Sequence, residues 1–454
     1  MTIYKKSEIL KIGVPAVLES LLAAIVTSID TQMIAPLGKG AVSAVALTAQ
    51  PKLLFFSIFF ALGIAVSIFV SQAFGKRDKE EANTYFHWIL RITILLSVVL
   101  GVVLSVLSDP VMRLFSRQTE TLGMSIDFFR IVTGYMFFMA ISTVLNAAMR
   151  AIGKTNVTLV AGVLSGVVDI LLNYCLIEGH WGFPRLEIKG DAIATVAGTV
   201  ASCAVSIVYL TRHSDFLSLR GFLTVWKRDI VIIKNIVSKS SHIIFENLFT
   251  RIGFLLSSMI VSCLSADSTA VYFTAMLLMN YTFAFGDGMQ STVVALTGRS
   301  IGAKQYDMFW RYVRSSRKAA LLLSAALSAV YLMGAKWFYG LFFSDAESIA
   351  VGVEYTVCVA VIIFLQLTRI VNIAALRGLG EVKAPKRIAA VCVLIINPGV
   401  AFLLTIVYSY EVWGIWAASL ISQAAWCMAS YLTLNRKAGM LMQQAETPQN
   451  NIEL

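Results

Sequence analysis

Apolar runs long enough to cross a lipid bilayer recur along the whole chain, separated by short polar stretches. They fall at roughly 12–37, 46–73, 88–108, 125–149, 157–178, 190–211, 232–264, 268–298, 317–342, 349–376, 387–408 and 412–435. An α-helix needs about 20 apolar residues to span about 30 Å of hydrocarbon, and most of these runs reach that length. The short alternating strands of a transmembrane barrel are not evident. The pattern predicts an all-α polytopic membrane protein with about twelve spanning helices. Lys5 and Lys6 precede the first run as in a signal peptide. That run is too long for such a segment and lacks a good cleavage site, so an uncleaved first span is expected.

The pattern also repeats. Residues 147–153 read AAMRAIG and residues 374–380 read AALRGLG. Arg150 and Arg377, Gly153 and Gly380, Gly75 and Gly302, and Glu19 and Glu246 are all separated by 227 residues. One offset shared by four pairs argues for duplication of a six-helix unit. Six is even, so both units enter the membrane with the same orientation, and a pseudo-two-fold axis along the membrane normal is expected. The predicted organisation is an N-terminal lobe over 1–211, a cytoplasmic loop over 212–231, a C-terminal lobe over 232–437 and a polar cytoplasmic tail over 438–454. Gly75 and Gly302 are expected to cap helices in the left-handed turn. Arg150 and Arg377 are expected at cytoplasmic helix ends, bonded to exposed carbonyls or facing anionic headgroups.

Composition agrees with this reading. The chain is 58% hydrophobic and 14% charged, with a mean hydropathy of +0.77. A soluble chain of 454 residues needs more charge to cover its surface. The net charge of +11 does not point to nucleic acid, because Lys and Arg concentrate in alternate loops. Examples are Lys76, Arg77 and Lys79, then Arg212, Arg220, Lys227 and Arg228, then Lys383, Lys386 and Arg387. This is the positive-inside pattern. It places both termini in the cytoplasm and the chain in the inner (plasma) membrane, and a monomer is expected. The six cysteines lie in apolar context without metal-ligand spacing. There is no GxxxxGK[ST] cradle for ATP and no HExxH. No enzyme activity and no cofactor are expected, and the energy source is an ion gradient or the substrate's own gradient.

The polar residues inside the spans carry the chemistry. A carboxylate at the bilayer centre costs about 2.5–3.5 kcal/mol on insertion scales, so it calls for a reason. Glu19 and Asp30 on the first span are 11 residues apart. They are therefore only about 20° apart around a helix and about 16 Å apart along it. Asp169 and Asn173 on the fifth span are spaced i,i+4 and share a face. Thr195 lies about one turn into the sixth span. Asp30, Asp169, Asn173 and Thr195 are expected at one depth, as oxygen ligands for Na⁺ or as a carboxylate pair that holds a proton. In the second half, Glu246 repeats Glu19, and Asn280, Asp287 and Gln290 form one stripe on the eighth span. Glu19, Glu246, Asn280, Asp287 and Gln290 are candidates for substrate contact or second-lobe coupling. Arg251 lies near Glu246 in sequence, and Arg130 and Arg369 sit inside spans, where each is expected to neutralise an acid.

The segments GVPAVLESLLAAIVTSIDTQMIAPLG, VSQAFGKRD, DILLNYCLI, GDAIATVAG and ALRGLGEVKAP, in that order, resemble the multidrug and toxic compound extrusion (MATE) family over about residues 8–435. The resemblance implies two six-helix lobes that alternate between outward- and inward-facing states and export cationic lipophilic compounds in exchange for Na⁺ or H⁺. It implies that Asp30 is the first-helix coupling residue, that Asp169, Asn173 and Thr195 belong to the cation site, and that Glu246 is the seventh-helix acid of part of the family. Where some members carry an acid on the tenth span, this chain has LQLTRIVN, with Arg369 and Asn372. The alternative function is a flippase for a lipid-linked oligosaccharide or other amphipathic lipid. Such a protein is expected to present a central arginine cluster, for which only Arg130, Arg251 and Arg369 are available.

Overall fold

The structure is a computed structural model and describes residues 6–115, 119–213, 216–222 and 230–446. Among these residues the regular structure is helical, with no strand. The chain divides into two compact units. The N-lobe is Leu10–Ser240, and the C-lobe is Ser241–Leu454 with Met1–Ile9. The division falls inside a helix at Ser240, beyond the loop expected at 212–231, most of whose second half lies outside the described residues.

The N-lobe contains α1 (Lys6–Ile34), α2 (Lys39–Lys76), α3 (Lys79–Val106), the short α4 (Ser108–Phe115), α5 (Thr119–Gly134), α6 (Met136–Ala151), α7 (Thr155–Ile177) and α8 (Ile188–Arg212). The helix that crosses the division is α9 (Ile230–Val261). The C-lobe continues with α10 (Ala266–Gly302), α11 (Tyr306–Gly340), α12 (Ala346–Gly378), α13 (Lys383–Ala389), α14 (Asn397–Phe402) and α15 (Glu411–Glu446). Ten of these helical stretches are long and apolar enough to span, and an eleventh forms if α5 and α6, bent by 48°, count as one. The predicted eighth span corresponds to α10, which at 37 residues has the length but carries Asn280, Asp287 and Gln290. Wide π-turns over Ala390–Ile396 and Leu403–Val407 flank α14. Pro398 lies between them and has no N–H to give the ladder.

Local chemistry explains where helices start. Asp78 caps α3 by accepting a 2.8 Å bond from the Glu81 amide, and Asp345 caps α12 with a 2.8 Å bond from the Ser348 amide. The N-lobe core is built on Phe59, Leu62, Val66, Phe86, Phe129 and Met136. In the C-lobe, Tyr272 and Tyr355 pack on the buried Trp416, with ring centroids 5.2 and 5.7 Å away. Leu95 and Val102 on α3 and Leu322 and Met333 on α11 stay exposed, as suits side chains that meet acyl chains.

The duplication is visible in the backbone. Arg77 and Lys304 take left-handed conformations at φ 61° and 56°, and Gly153 and Gly380 at φ 78° and 81°. Gly75 and Gly302 themselves remain helical, so the expected glycine caps are corrected to Arg77 and Lys304. The expected tail is corrected as well. Residues 438–446 continue α15, because Ala438 is buried and Met442, one turn on, accepts a 3.2 Å contact from Trp310 Nε1. Residues 447–454 lie outside the described residues.

Candidate cation-binding site in the N-lobe

Close helix approach comes first. Gly162 and Gly166 form a GxxxG step on α7 that faces α1, a spacing that lets membrane helices draw together. A Cβ at Gly166 would lie 2.7 Å from Val26 Cγ2. On the other side of α7, a Cβ at Gly198 of α8 would lie 2.8 Å from the Ser165 carbonyl and 3.2 Å from Asp169 Cβ. These contacts hold α1, α7 and α8 around one cavity of about 320 Å³.

Glu19, Asp30, Asp169 and Thr195 all line that cavity. Asn173 is fully buried and joins the acids, donating through Nδ2 to Asp30 Oδ1 at 3.0 Å and to Asp169 Oδ1 at 3.4 Å. Thus three of the four residues grouped by spacing and resemblance line a single volume, and the fourth, Asn173, bonds two of them. Glu19 reaches the same cavity but has partners. It accepts 2.7 Å from Arg150 Nη1 and 2.6 Å from Thr158 Oγ1. Arg150 therefore does not serve helix-end carbonyls or headgroups as expected; it neutralises Glu19.

Two charged residues of the cavity escaped the sequence reading. Asp191, 2% exposed, lines it from the start of α8, and Lys52 enters from α2 just after Pro51. The Lys52 ammonium lies 5.7 Å from the Phe128 ring centroid, and Lys52 lines the cavity together with Asp191, Asp30 and Asp169. A lone lysine inside the predicted span 46–73 is the same kind of signal that singled out Glu19 and Asp30. Asp191 stands in the quoted GDAIATVAG, where its position at a span end made it look interfacial. Asn173 Oδ1 and Asp191 Oδ1 are buried and without a hydrogen-bond partner. Among the described residues no three His, Cys, Asp or Glu side chains gather as a metal-ligand set.

The C-lobe candidates are arranged differently. Arg377 Nη2 pairs with Glu246 Oε1 at 3.0 Å, with both side chains about 5% exposed, and Nη1 donates to Gln290 Oε1 at 2.7 Å. Glu246 and Gln290 thus come together through Arg377, whereas Asn280 and Asp287 are exposed. Arg369 does not close an ion pair with an acid as expected. It donates to Gln423 Oε1 at 3.1 Å, and its guanidinium lies 3.6 Å from the Trp426 ring centroid. Arg130 donates to Ser108 Oγ at 3.0 Å rather than to an acid.

Comparison with known proteins places this arrangement in a family. The MatE family model matches residues 15–175 and again 243–403, so the chain belongs to the MATE family of transporters. It is 25% identical to the probable multidrug resistance protein YoeA of Bacillus subtilis, over 84% of this chain and 82% of that one. It is 20% identical to a probable multidrug resistance protein NorM of Thermotoga maritima, over 90% and 88% of the two chains. A solved MATE structure in its bent conformation superposes with a TM-score of 0.88 at 19% identity, covering 97% of both chains. A MOP superfamily transporter from Pyrococcus furiosus superposes at 0.89 with 18% identity, covering 96% of both. The two structural likenesses establish the two-lobe helical fold. The two family matches also align the lobes: Asp169 and Asn397 stand at equal distances from their starts.

Proposed function

We propose that this transporter is a secondary antiporter that exports cationic lipophilic compounds in exchange for H⁺ or Na⁺, with the N-lobe cavity as the coupling site. The observation that carries this reading is the meeting of Asp30, Asp169 and Asp191, from α1, α7 and α8, around one cavity of about 320 Å³. Three carboxylates in a membrane lobe are costly unless they capture cations. Loading the cavity changes its charge, and a change in charge biases one conformation over another. The names of the relatives, multidrug resistance proteins, support small organic substrates. Of the arginines that a lipid-flippase alternative would call on, Arg130 donates to Ser108 Oγ and Arg369 to Gln423 Oε1.

The test is efflux of ethidium, a fluorescent organic cation, from vesicles under an imposed proton or Na⁺ gradient. The wild-type protein is expected to respond to at least one gradient, and Asp30→Asn to lose that response while still reaching the membrane in normal amount. An Asp30→Asn protein that keeps full gradient-driven efflux overturns the coupling role.

A further inference from the structure

We propose that Lys52 decides which cation the N-lobe site exchanges: its ammonium takes the place of a metal ion among Asp30, Asp169 and Asp191, so the site accepts protons and leaves Na⁺ out. This rests on the reading of the cavity as the coupling site and goes beyond it by choosing the ion.

The charge count comes first. Glu19 is matched by Arg150 at 2.7 Å. What remains around the cavity is three carboxylates and one ammonium. The neighbouring helices add little free charge. On α5, Asp127 pairs with Lys189 at 3.0 Å and Arg130 bonds Ser108. On α3, His87 meets the Ser218 carbonyl at 2.7 Å and Arg91 donates to the Phe222 carbonyl. On α4, Asp109 and Arg113 pair with each other at 2.8 Å. Lys52 is thus the resident cation of this cluster.

The arrangement of donors comes second. A hard metal ion needs several oxygens converging on one point. Here Asn173 turns its N–H₂, not its oxygen, toward both Asp30 and Asp169. Among the described residues no three His, Cys, Asp or Glu side chains gather as a metal-ligand set. A proton needs only one oxygen and no coordination shell. A lysine ammonium offers three rotatable donors on a flexible stem, which suits scattered acceptors. Asp191 lines the cavity, and its Oδ1 is buried without a hydrogen-bond partner, as is Asn173 Oδ1.

Repulsion adds to this. A Na⁺ ion entering the cavity meets the positive charge of Lys52, which lines it, in a poorly screened site. Removing the ammonium leaves carboxylates facing an empty volume, and a metal ion is then the natural occupant.

The direct test uses Na⁺ alone as the probe. Purified full-length protein in detergent is melted in 100 mM NaCl and in 100 mM choline chloride (~0.1 M of each salt, which equalises screening). The wild type and Lys52→Arg are expected to melt at the same temperature in both salts. Lys52→Met is expected to gain a Na⁺-specific rise of about 2 °C or more. Lys52→Gln serves if the Met variant does not fold. In vesicles the same substitution is expected to turn ethidium efflux from proton-driven to Na⁺-stimulated. A wild type stabilised or driven by Na⁺, or neutral variants that stay blind to it, overturns the proposal. The double variant Asp30→Asn with Lys52→Met separates the two readings. If it keeps the Na⁺ response of Lys52→Met, the metal binds elsewhere, and the coupling role of the cavity fails rather than the selecting role of Lys52 alone.

Discussion

The N-lobe holds Glu19 against Arg150 at 2.7 Å, and the C-lobe holds Glu246 against Arg377 at 3.0 Å, at positions 227 residues apart in a duplicated sequence. Beside that shared pair the lobes diverge. At the 227-residue offset Asp30 is replaced by Ser257, and at the 228-residue offset of the two family matches Asp169 is replaced by Asn397. In the N-lobe, Asn173 bridges two carboxylates over an open cavity. In the C-lobe, Asn397 Nδ2 simply donates to Ser257 Oγ at 3.2 Å, a neutral contact in a buried place. A feature kept in both lobes points to what the six-helix unit needs to hold together. A feature charged in one lobe and neutral in the other points to what one lobe does alone. The proposal therefore takes the ion pairs as scaffold and the acid cavity as the part that one lobe uses alone.

The comparison sharpens where the two pairs differ in burial. The Arg377 and Glu246 side chains are 4% and 5% exposed, against 18% and 16% for Arg150 and Glu19. Arg377→Ala strands a buried carboxylate and is expected to cost about 3–5 kcal/mol of stability. Arg150→Ala leaves Glu19 its bond from Thr158 and access to the cavity, and is expected to cost less, about 1–3 kcal/mol. Unfolding of the two variants in detergent checks the order, and equal losses would break the contrast. Gly166→Ala forces its new methyl to within 2.7 Å of Val26 and is expected to cost about 1–3 kcal/mol through overpacking. It also moves α1 from α7, so the rate of gradient-driven transport is expected to drop, as vesicle efflux will show. Asn397→Ala removes one neutral bond, costs about 1 kcal/mol and leaves coupling intact. A C-lobe variant that uncouples transport would mean that both lobes carry the ion.

Much of this was legible from the residues. Span lengths point to the helical architecture and the 227-residue offset to the duplication, although the left-handed turns fall at Arg77 and Lys304 and not at the glycines expected to make them. Helical spacing put Asp169 and Asn173 on one face, where the latter bridges to Asp30. Three things were not legible. Charge partners come from helices distant in sequence: Glu19 and Arg150 are 131 residues apart, and no local pattern joins them. Depth is poorly read at span ends, which hid Asp191. Lys52 stands inside the expected span 46–73 with no acid in that span to draw attention to it, which hid it. The helical stretch past Lys437 was missed because Ala438 and Met442 earn their place only by packing on α11.

The central claim is that the charged cavity of one lobe, and not its neutral counterpart, holds the coupling cation. Gradient-driven ethidium efflux from vesicles that carry equal amounts of Asp30→Asn or Ser257→Ala tests it most directly. The account predicts that Asp30→Asn loses the response to the gradient and Ser257→Ala keeps it. Equal loss in both, or loss only in Ser257→Ala, would contradict it.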